Sequence, residues 1–497
     1  MRTRIYFLLI IISALNNVSA KKTSITFRSN SDIYIRVNKP IDGAFNFYVI
    51  SDKLELKANL SINYGLEVHD FCSVRCELSN GNSFDILLLE GDSIEIDNMN
   101  NRILFKGDNA AGNQYLVDNY CTKGLGFYLE KVEQVFKRHI TDRIDFDGFD
   151  KDFQDSIQSP FLNDVRQLER DNKITSRFAT VMSQNLQNAY SSMLFFMYEK
   201  TLKGKEFGYK PSSSDSLAIM TRIDELYQRS LKVSNPLAYY YQFPYEGYYP
   251  LKYNTLDKTV KEKLLGSYDE DAFNYYIRLL FATDNIQPIL LGETCVSQLQ
   301  NLDNNFDSSK MLKYLSDKFP ESGYIPIIKE LIQKQNLIHS NQTTEQNDAQ
   351  PIFMDGKNIR SIKELINASP IKGKRVYIDL WATFCMPCKM QFQYNKELHK
   401  LINQYKNLVP VYISIDEDKN EINWRNQIAY YKLSGYQLRA SKALYNDIQQ
   451  HIYKNGDFLV PRYLLLDTDG SILNDNLPRP QAIDKLKEAF DKALIKK

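Results

Sequence analysis

The sequence predicts a multidomain chain: an N-terminal all-β, sandwich-like domain, a central α-helical domain and a C-terminal α/β domain. Three observations carry this. The apolar period is two at the start of the chain and three to four through its middle, and strand and helix periods alternate at its end. Paired turn residues crowd the first part. A polar stretch with almost nothing to bury precedes the last part. With 497 residues, 43% of them hydrophobic, the chain can bury several cores. A net charge of +1 gives no argument for nucleic acid as a partner. The segment after about residue 349 is net basic and the rest net acidic, as solvated surfaces often are.

Residues 1–20 read as an export signal. Arg2 and Arg4 precede the apolar run Ile5 to Leu15, and Val18-Ser19-Ala20 offers small residues for cleavage. That run is short for a bilayer span, and no cysteine follows the cleavage point to take a lipid. A cleaved, soluble product is expected.

Residues 21–107 form the β-domain. Alternating runs at Asp32 to Val37, Ala44 to Ile50, Phe84 to Leu89 and Ser93 to Ile96 are separated by Asp42-Gly43, Asn80-Gly81 and Glu90-Gly91-Asp92. Cys72 and Cys76 lie here. On a straight strand their α-carbons would stand about 13 Å apart, beyond disulfide reach, so they read as two buried thiols unless a bend or bulge joins them.

Residues 108–338 form the helical domain, with apolar spacing over Asn113 to Arg138, Lys173 to Lys203, Asp215 to Ser230, Asp257 to Phe281 and Tyr324 to Gln335. The tyrosine-rich run Ala238 to Tyr249 is either a partner surface or a loop folded over the helices. Cys121 and Cys295 read as inert core thiols. Residues 339–350 read as a linker.

Residues 351–497 alternate strand and helix. Val376 to Leu380, Cys385 to Tyr405 and Val409 to Ile415 make a β-α-β unit with a right-handed crossover. Helices over Trp424 to Tyr431 and Ser441 to Lys454 follow. Phe458 to Leu466 and Ser471 to Leu473 form a hairpin around Asp467-Thr468-Asp469-Gly470, and Gln481 to Ile495 is a closing helix.

The chemistry concentrates at Cys385-Met386-Pro387-Cys388. The first cysteine falls where the helix begins, so unpaired N–H groups and the helix dipole favour its thiolate, the attacking species in disulfide exchange. The second, three residues on, lies one turn deeper on the same face, close enough to form a disulfide. Pro387 gives up an N–H that has no helical partner in a first turn. A structural zinc site would need two more ligands, and His399 and His451 are isolated, so neither metal nor cofactor is expected.

The run K-G-K-R-V-Y-I-D-L-W-A-T-F-C-M-P-C-K from Lys372 resembles the thioredoxin superfamily, in particular the periplasmic thiol-disulfide oxidoreductases of its TlpA/ResA-like branch. L-L-L-E-G-D-S-I-E-I and I-L-F-K-G-D-N-A-A-G-N-Q-Y-L resemble the β-domain that precedes such modules in some envelope proteins. The resemblance implies a thioredoxin fold for residues 351–497, with the helices at 424–431 and 441–454 as the branch's insertion. It implies a periplasmic enzyme in which Cys385 attacks a substrate disulfide and Cys388 resolves the mixed disulfide, the two forming the redox disulfide. A cis proline at Pro461 would face the pair and present the backbone of Val460 to a substrate strand. Asp379 would lie beneath and take the proton of Cys388. Trp381 and Phe384 would pack on the active-site turn and shield it, with Trp381 near the substrate.

Two departures stand out. Tyr412 occupies the place of a lysine, and Gln391 and Gln393 replace the branch's C-x-x-C-x-x-E-x-P pattern. The expected activity is exchange with disulfide-containing or dithiol envelope proteins, in the reductive direction, supplied by a membrane thiol-disulfide electron donor. Three alternatives stay open: a disulfide oxidase or isomerase on the same site, a partner-binding envelope protein with a vestigial pair, and a thiol peroxidase, although Thr383 lacks the T-x-x-C spacing that chemistry needs.

Overall fold

The computed structural model describes residues 22–42, 51–100, 102–121, 124–204, 209–230, 287–302, 307–339 and 350–494. The expected export signal, the strand at 44–50, the tyrosine-rich run, the helix at 257–281 and all but the ends of the expected linker lie outside these residues. The chain divides into two compact units, one of Met1–Asn46, Asp52–Cys76 and Phe84–Leu264, the other of Phe47–Ser51, Glu77–Ser83 and Leu265–Lys497.

Strands of the N-terminal region are β1 (Thr23–Ser29), β2 (Ile33–Asn38), β3 (Ser51–Leu56), β4 (Ser61–Leu66), β5 (Phe71–Leu78), β6 (Ser83–Leu89), β7 (Ser93–Met99) and β8 (Arg102–Gly107). They form two four-stranded sheets, ordered β4-β1-β7-β8 and β3-β2-β5-β6. Alternation along β1 buries Thr23, Ile25, Phe27 and Ser29 on one face. Its register sets Ile25 between Tyr64 and Ile94 and Phe27 between Ile62 and Ile96. Cys72 and Cys76 are both buried on β5 and lie outside any disulfide.

Helices follow: α1 (Ala110–Leu116), α2 (Gly124–Arg138), α3 (Phe146–Phe153), α4 (Ser159–Arg170), α5 (Ser176–Leu202) and α6 (Ser213–Ser230). The helix expected over 113–138 is interrupted by a π-helical turn at Val117–Cys121. The helical stretch from 146 to 170, with no sequence expectation, starts where Asp145 accepts from the Gly148 N–H, and α3 buries Phe149 and Phe153. At α5, Thr175 caps the N-terminus by accepting from Phe178 N–H, and residues such as Phe178, Met182, Leu186 and Tyr190 line its buried face.

The second unit holds α7 (Gln287–Asn301), α8 (Ser308–Lys318) and α9 (Tyr324–His339). The helical region expected over 108–338 is therefore divided between the two units. At Gly292 an added Cβ would fall 2.0 Å from the Tyr324 ring, so glycine lets α7 meet the start of α9.

The α/β part comprises β9 (Pro351–Phe353), α10 (Ile362–Leu365), β10 (Arg375–Trp381), α11 (Met386–Phe392), α12 (Asn395–Ile402), β11 (Leu408–Ser414), α13 (Glu421–Tyr430), β12 (Gly435–Arg439), α14 (Lys442–His451), β13 (Arg462–Leu466), β14 (Ile472–Asn474) and α15 (Ile483–Leu494). One six-stranded sheet runs β14-β13-β10-β11-β12-β9. Strand β10 is parallel to β11 and antiparallel to β13. It is buried on both faces, as a central strand with helices on either side must be. Val376, Ile378 and Leu380 join Ile413, Leu438, Leu444 and Leu464 in one core. Tyr377 points the other way, into a core with Leu398, Leu486 and Phe490. Asp379 and Trp381 share that second face by alternation. The single helix expected over 385–405 is two helices, because the Tyr394 N–H bonds the Gln391 carbonyl three residues back and tightens the chain between them.

Candidate active site

β10 ends at Trp381, and four residues later Cys385 caps α11. The junction is local: a strand that must leave the core meets a helix whose first turn tolerates Pro387. Cys385 and Cys388 form a disulfide, with sulfurs 2.00 Å and α-carbons 5.3 Å apart. The Cys388 N–H donates toward the Cys385 sulfur at 3.1 Å. Cys385 is 5% exposed and Cys388 0%, so the first is the less deeply buried of the pair.

Both cysteines sit in an apolar cluster with Trp381, Phe392, Tyr412 and Trp424, against which Val460 packs. The Val460–Pro461 bond is cis, and Pro461 precedes β13. Trp381 is wholly buried, edge-on to Phe392 at 5.2 Å. It supports the turn from within, with none of its surface open to solvent, whereas the sequence places it near the substrate. Phe384 also departs from expectation. At 70% exposure it stands out into solvent rather than shielding the pair.

Asp379 is 1% exposed, and neither carboxyl oxygen has a hydrogen-bond partner among the described residues. In register it lies between Tyr412 on β11 and Tyr463 on β13. Burial pushes its pKa well above the usual carboxylate range. The hydroxyls of Tyr377 and Tyr463 and the indole nitrogen of Trp381 are likewise without partners among the described residues. Of the two glutamines at the altered positions, Gln391 is buried and exchanges hydrogen bonds with Gln481, at 2.8 and 3.1 Å, while Gln393 is exposed. His399 Nε2 lies 3.1 Å from the Tyr412 hydroxyl, and His451 pairs with Asp447 on its own helix. Among the described residues no group of three or more His, Cys, Asp or Glu side chains could hold a metal ion.

Two features carried no sequence signal. Lys389, next to Cys388, is 4% exposed, and burial pushes its ammonium pKa down to about 8, against the opposing pull of Asp416. Asp416 itself accepts hydrogen bonds from Thr383, 33 residues earlier. No local spacing announces such a pair; only the alignment of β10 with β11 brings it together. Away from the site, burial raises the thiol pKa values of Cys72 and Cys295 to about 12, so neither is a nucleophile near neutrality.

A family model described as Thioredoxin-like matches residues 373–472. The thiol-disulfide oxidoreductase ResA of Bacillus thuringiensis subsp. konkukian is 27% identical over 127 residues, 26% of this chain and 68% of its own. A ResA of Bacillus cereus is 34% identical over 68 residues, 14% of this chain and 38% of its own. Among solved structures, a Bacteroides vulgatus protein described provisionally as a thiol-disulfide oxidoreductase is 32% identical, covering 26% of this chain and 82% of that one, with a TM-score of 0.21. A matched thioredoxin-like segment with an intact cysteine pair at its strand-to-helix junction leads to one conclusion: through its C-terminal part the chain belongs to the thioredoxin superfamily and is a thiol-disulfide oxidoreductase.

Proposed function

We propose that the protein is exported and works outside the cytoplasm, reducing disulfides in envelope proteins. The observation that carries the reading is the asymmetry of the pair: Cys385 is the more open sulfur and caps a helix, and Cys388 lies wholly buried behind it. Cys385 attacks as thiolate. One client sulfur leaves and takes a proton, and the other stays bound in a mixed disulfide beside Val460 and Pro461. Cys388 then gives its proton to the carboxylate of Asp379, attacks the Cys385 sulfur and expels the second client thiolate. The client gains two electrons, and the pair becomes the disulfide until a donor dithiol reduces it. A membrane thiol-disulfide relay is the proposed donor. Among the described residues no helix is long and apolar enough to cross a membrane.

Asp379 supports the reductive direction. When ionised, a buried carboxylate without partners opposes a second negative charge, which disfavours the dithiol's thiolate and so favours giving electrons away. The Cys388 N–H aimed at Cys385 favours the opposite reading, an oxidase, because it stabilises the reduced pair. Equilibration of the purified chain with glutathione buffers separates the two: a potential near that of thioredoxin supports reduction, and one near that of a strong oxidant supports oxidation. The activity itself is tested by Cys388→Ser expressed in the native envelope. Disulfide-linked clients attached to Cys385 are expected, and their absence, with Cys385 folded and free, would overturn the reading.

A further inference from the structure

Thr383 lies two residues before Cys385 in the turn between β10 and α11, and all of its polar groups are held by buried side chains from elsewhere in the sequence. Its N–H donates to Asp416 Oδ2 at 2.8 Å and its hydroxyl to Oδ1 at 2.5 Å. Its carbonyl accepts from Gln427 Nε2 of α13 at 3.2 Å. Asp416 is held in turn by Ser414, whose hydroxyl donates to Oδ2 at 2.6 Å and accepts from the Asp416 N–H at 3.0 Å. Thr383, Ser414, Asp416 and Gln427 are between 0% and 4% exposed. On α11 Lys389 is buried, and the charge of Asp416 acts on its ammonium.

Burying a carboxylate is costly, and three hydrogen bonds converging on one turn residue make a cluster that an apolar turn would not need. What the cluster does hold is position. The backbone is also tied on either side of Thr383, by Ile415 N–H to Trp381 carbonyl and by Cys385 N–H to Ala382 carbonyl, both 3.0 Å. In the oxidised protein the disulfide itself keeps Cys385 at the cap. Once that bond opens, only the turn keeps the free sulfur in line with the Cys388 N–H, and displacement of about 1 Å at a reacting group can cost up to about a hundredfold in rate.

We propose that Asp416 and Gln427 are positioning residues of the redox turn, which act through Thr383 to hold the reduced Cys385 sulfur at the cap of α11. This rests on Cys385 being the attacking sulfur. Helix α13 is itself anchored. Lys334 of α9 lies 3.9 Å over the Tyr430 ring, and the Tyr431 hydroxyl bonds the Gln300 carbonyl of α7 at 3.4 Å. Through Gln427 the turn is thereby tied to the helices that precede the α/β part.

The test is iodoacetamide labelling of the reduced, full-length chain from pH 5 to 10, with the labelled cysteine identified by mass. The chains compared are the wild type, Thr383→Val, Thr383→Ser, Asp416→Asn and Gln427→Leu. Thr383→Val and Asp416→Asn are expected to slow Cys385 labelling about tenfold at neutral pH and to move its thiolate titration upward. Gln427→Leu is expected to do so less, and Thr383→Ser, which keeps both donors, to recover reactivity. Unfolding of the oxidised forms reports folding separately. If Asp416→Asn does not fold, Thr383→Val decides, since it keeps the backbone bond. Folded Thr383→Val and Asp416→Asn with the wild-type rate and pH profile would overturn the inference. Labelling of wild-type Cys388 in place of Cys385 would remove the proposed function first.

Discussion

At Asp379 the proposed catalytic role and the stability of the fold pull in opposite directions. Because burial raises its pKa in the folded chain, the folded state keeps the proton to a higher pH than the unfolded state does. Between those two values the folded chain binds more protons, so stability falls as pH rises through that window. Asp379→Asn removes the titration. Urea unfolding at pH 5, 7 and 9 is expected to give a variant more stable than wild type by on the order of 2 kcal/mol at the upper end, with the gap closing toward pH 5. The same substitution takes away the proposed proton acceptor, and single-turnover resolution of a mixed disulfide is expected to slow about a hundredfold. A carboxylate in an apolar run marks Asp379 in the sequence; its two tyrosine neighbours come from strands 33 and 84 residues further along.

At the scale of elements, the sheet's order follows from burial. β10 is central because both of its faces are apolar apart from Asp379, and truncating Leu380 to alanine is expected to cost about 2–5 kcal/mol in chemical unfolding. A cap has a smaller effect. Ser441 Oγ accepts from Leu444 N–H at 3.1 Å and donates to the Ile359 carbonyl at 2.7 Å, so Ser441→Ala is expected to cost about 1–2 kcal/mol. Its rate of disulfide exchange should match wild type, because α14 packs into the core on the face away from Asp379 and Trp381. The strands of the β-α-β unit were legible because alternation and β-branched runs are local. β12 was not. Gly-Tyr-Gln-Leu-Arg has no strand period of its own and becomes a strand because β11 offers an open edge. The break between α11 and α12 was also hidden, since the apolar spacing runs on through it.

For the whole molecule, two compact units imply that redox chemistry is felt by one of them. The disulfide closes a very short loop, worth about 2 kcal/mol by the chain-entropy argument. A reductant is expected to lower the unfolding transition of the unit that holds Cys385 and to leave the other in place. A calorimetric scan with and without dithiothreitol checks this; equal displacement of both transitions would contradict it. The sequence separates β, helical and α/β regions by period, but period cannot say which helices pack together. The helices α7 to α9 share a unit with the α/β part, whereas those before residue 231 do not.

The sequence by itself determined the chemistry. Two sulfurs three residues apart at a strand-to-helix junction form a redox pair because both the spacing and the junction are properties of one short stretch of chain. Tertiary structure alone decided the surroundings: Asp379 sealed between Tyr412 and Tyr463, Trp381 turned inward, Phe384 left outside and Thr383 held by Asp416. Those contacts join residues far apart along the chain. Which of them meet depends on strand register and helix packing, and no local pattern encodes either.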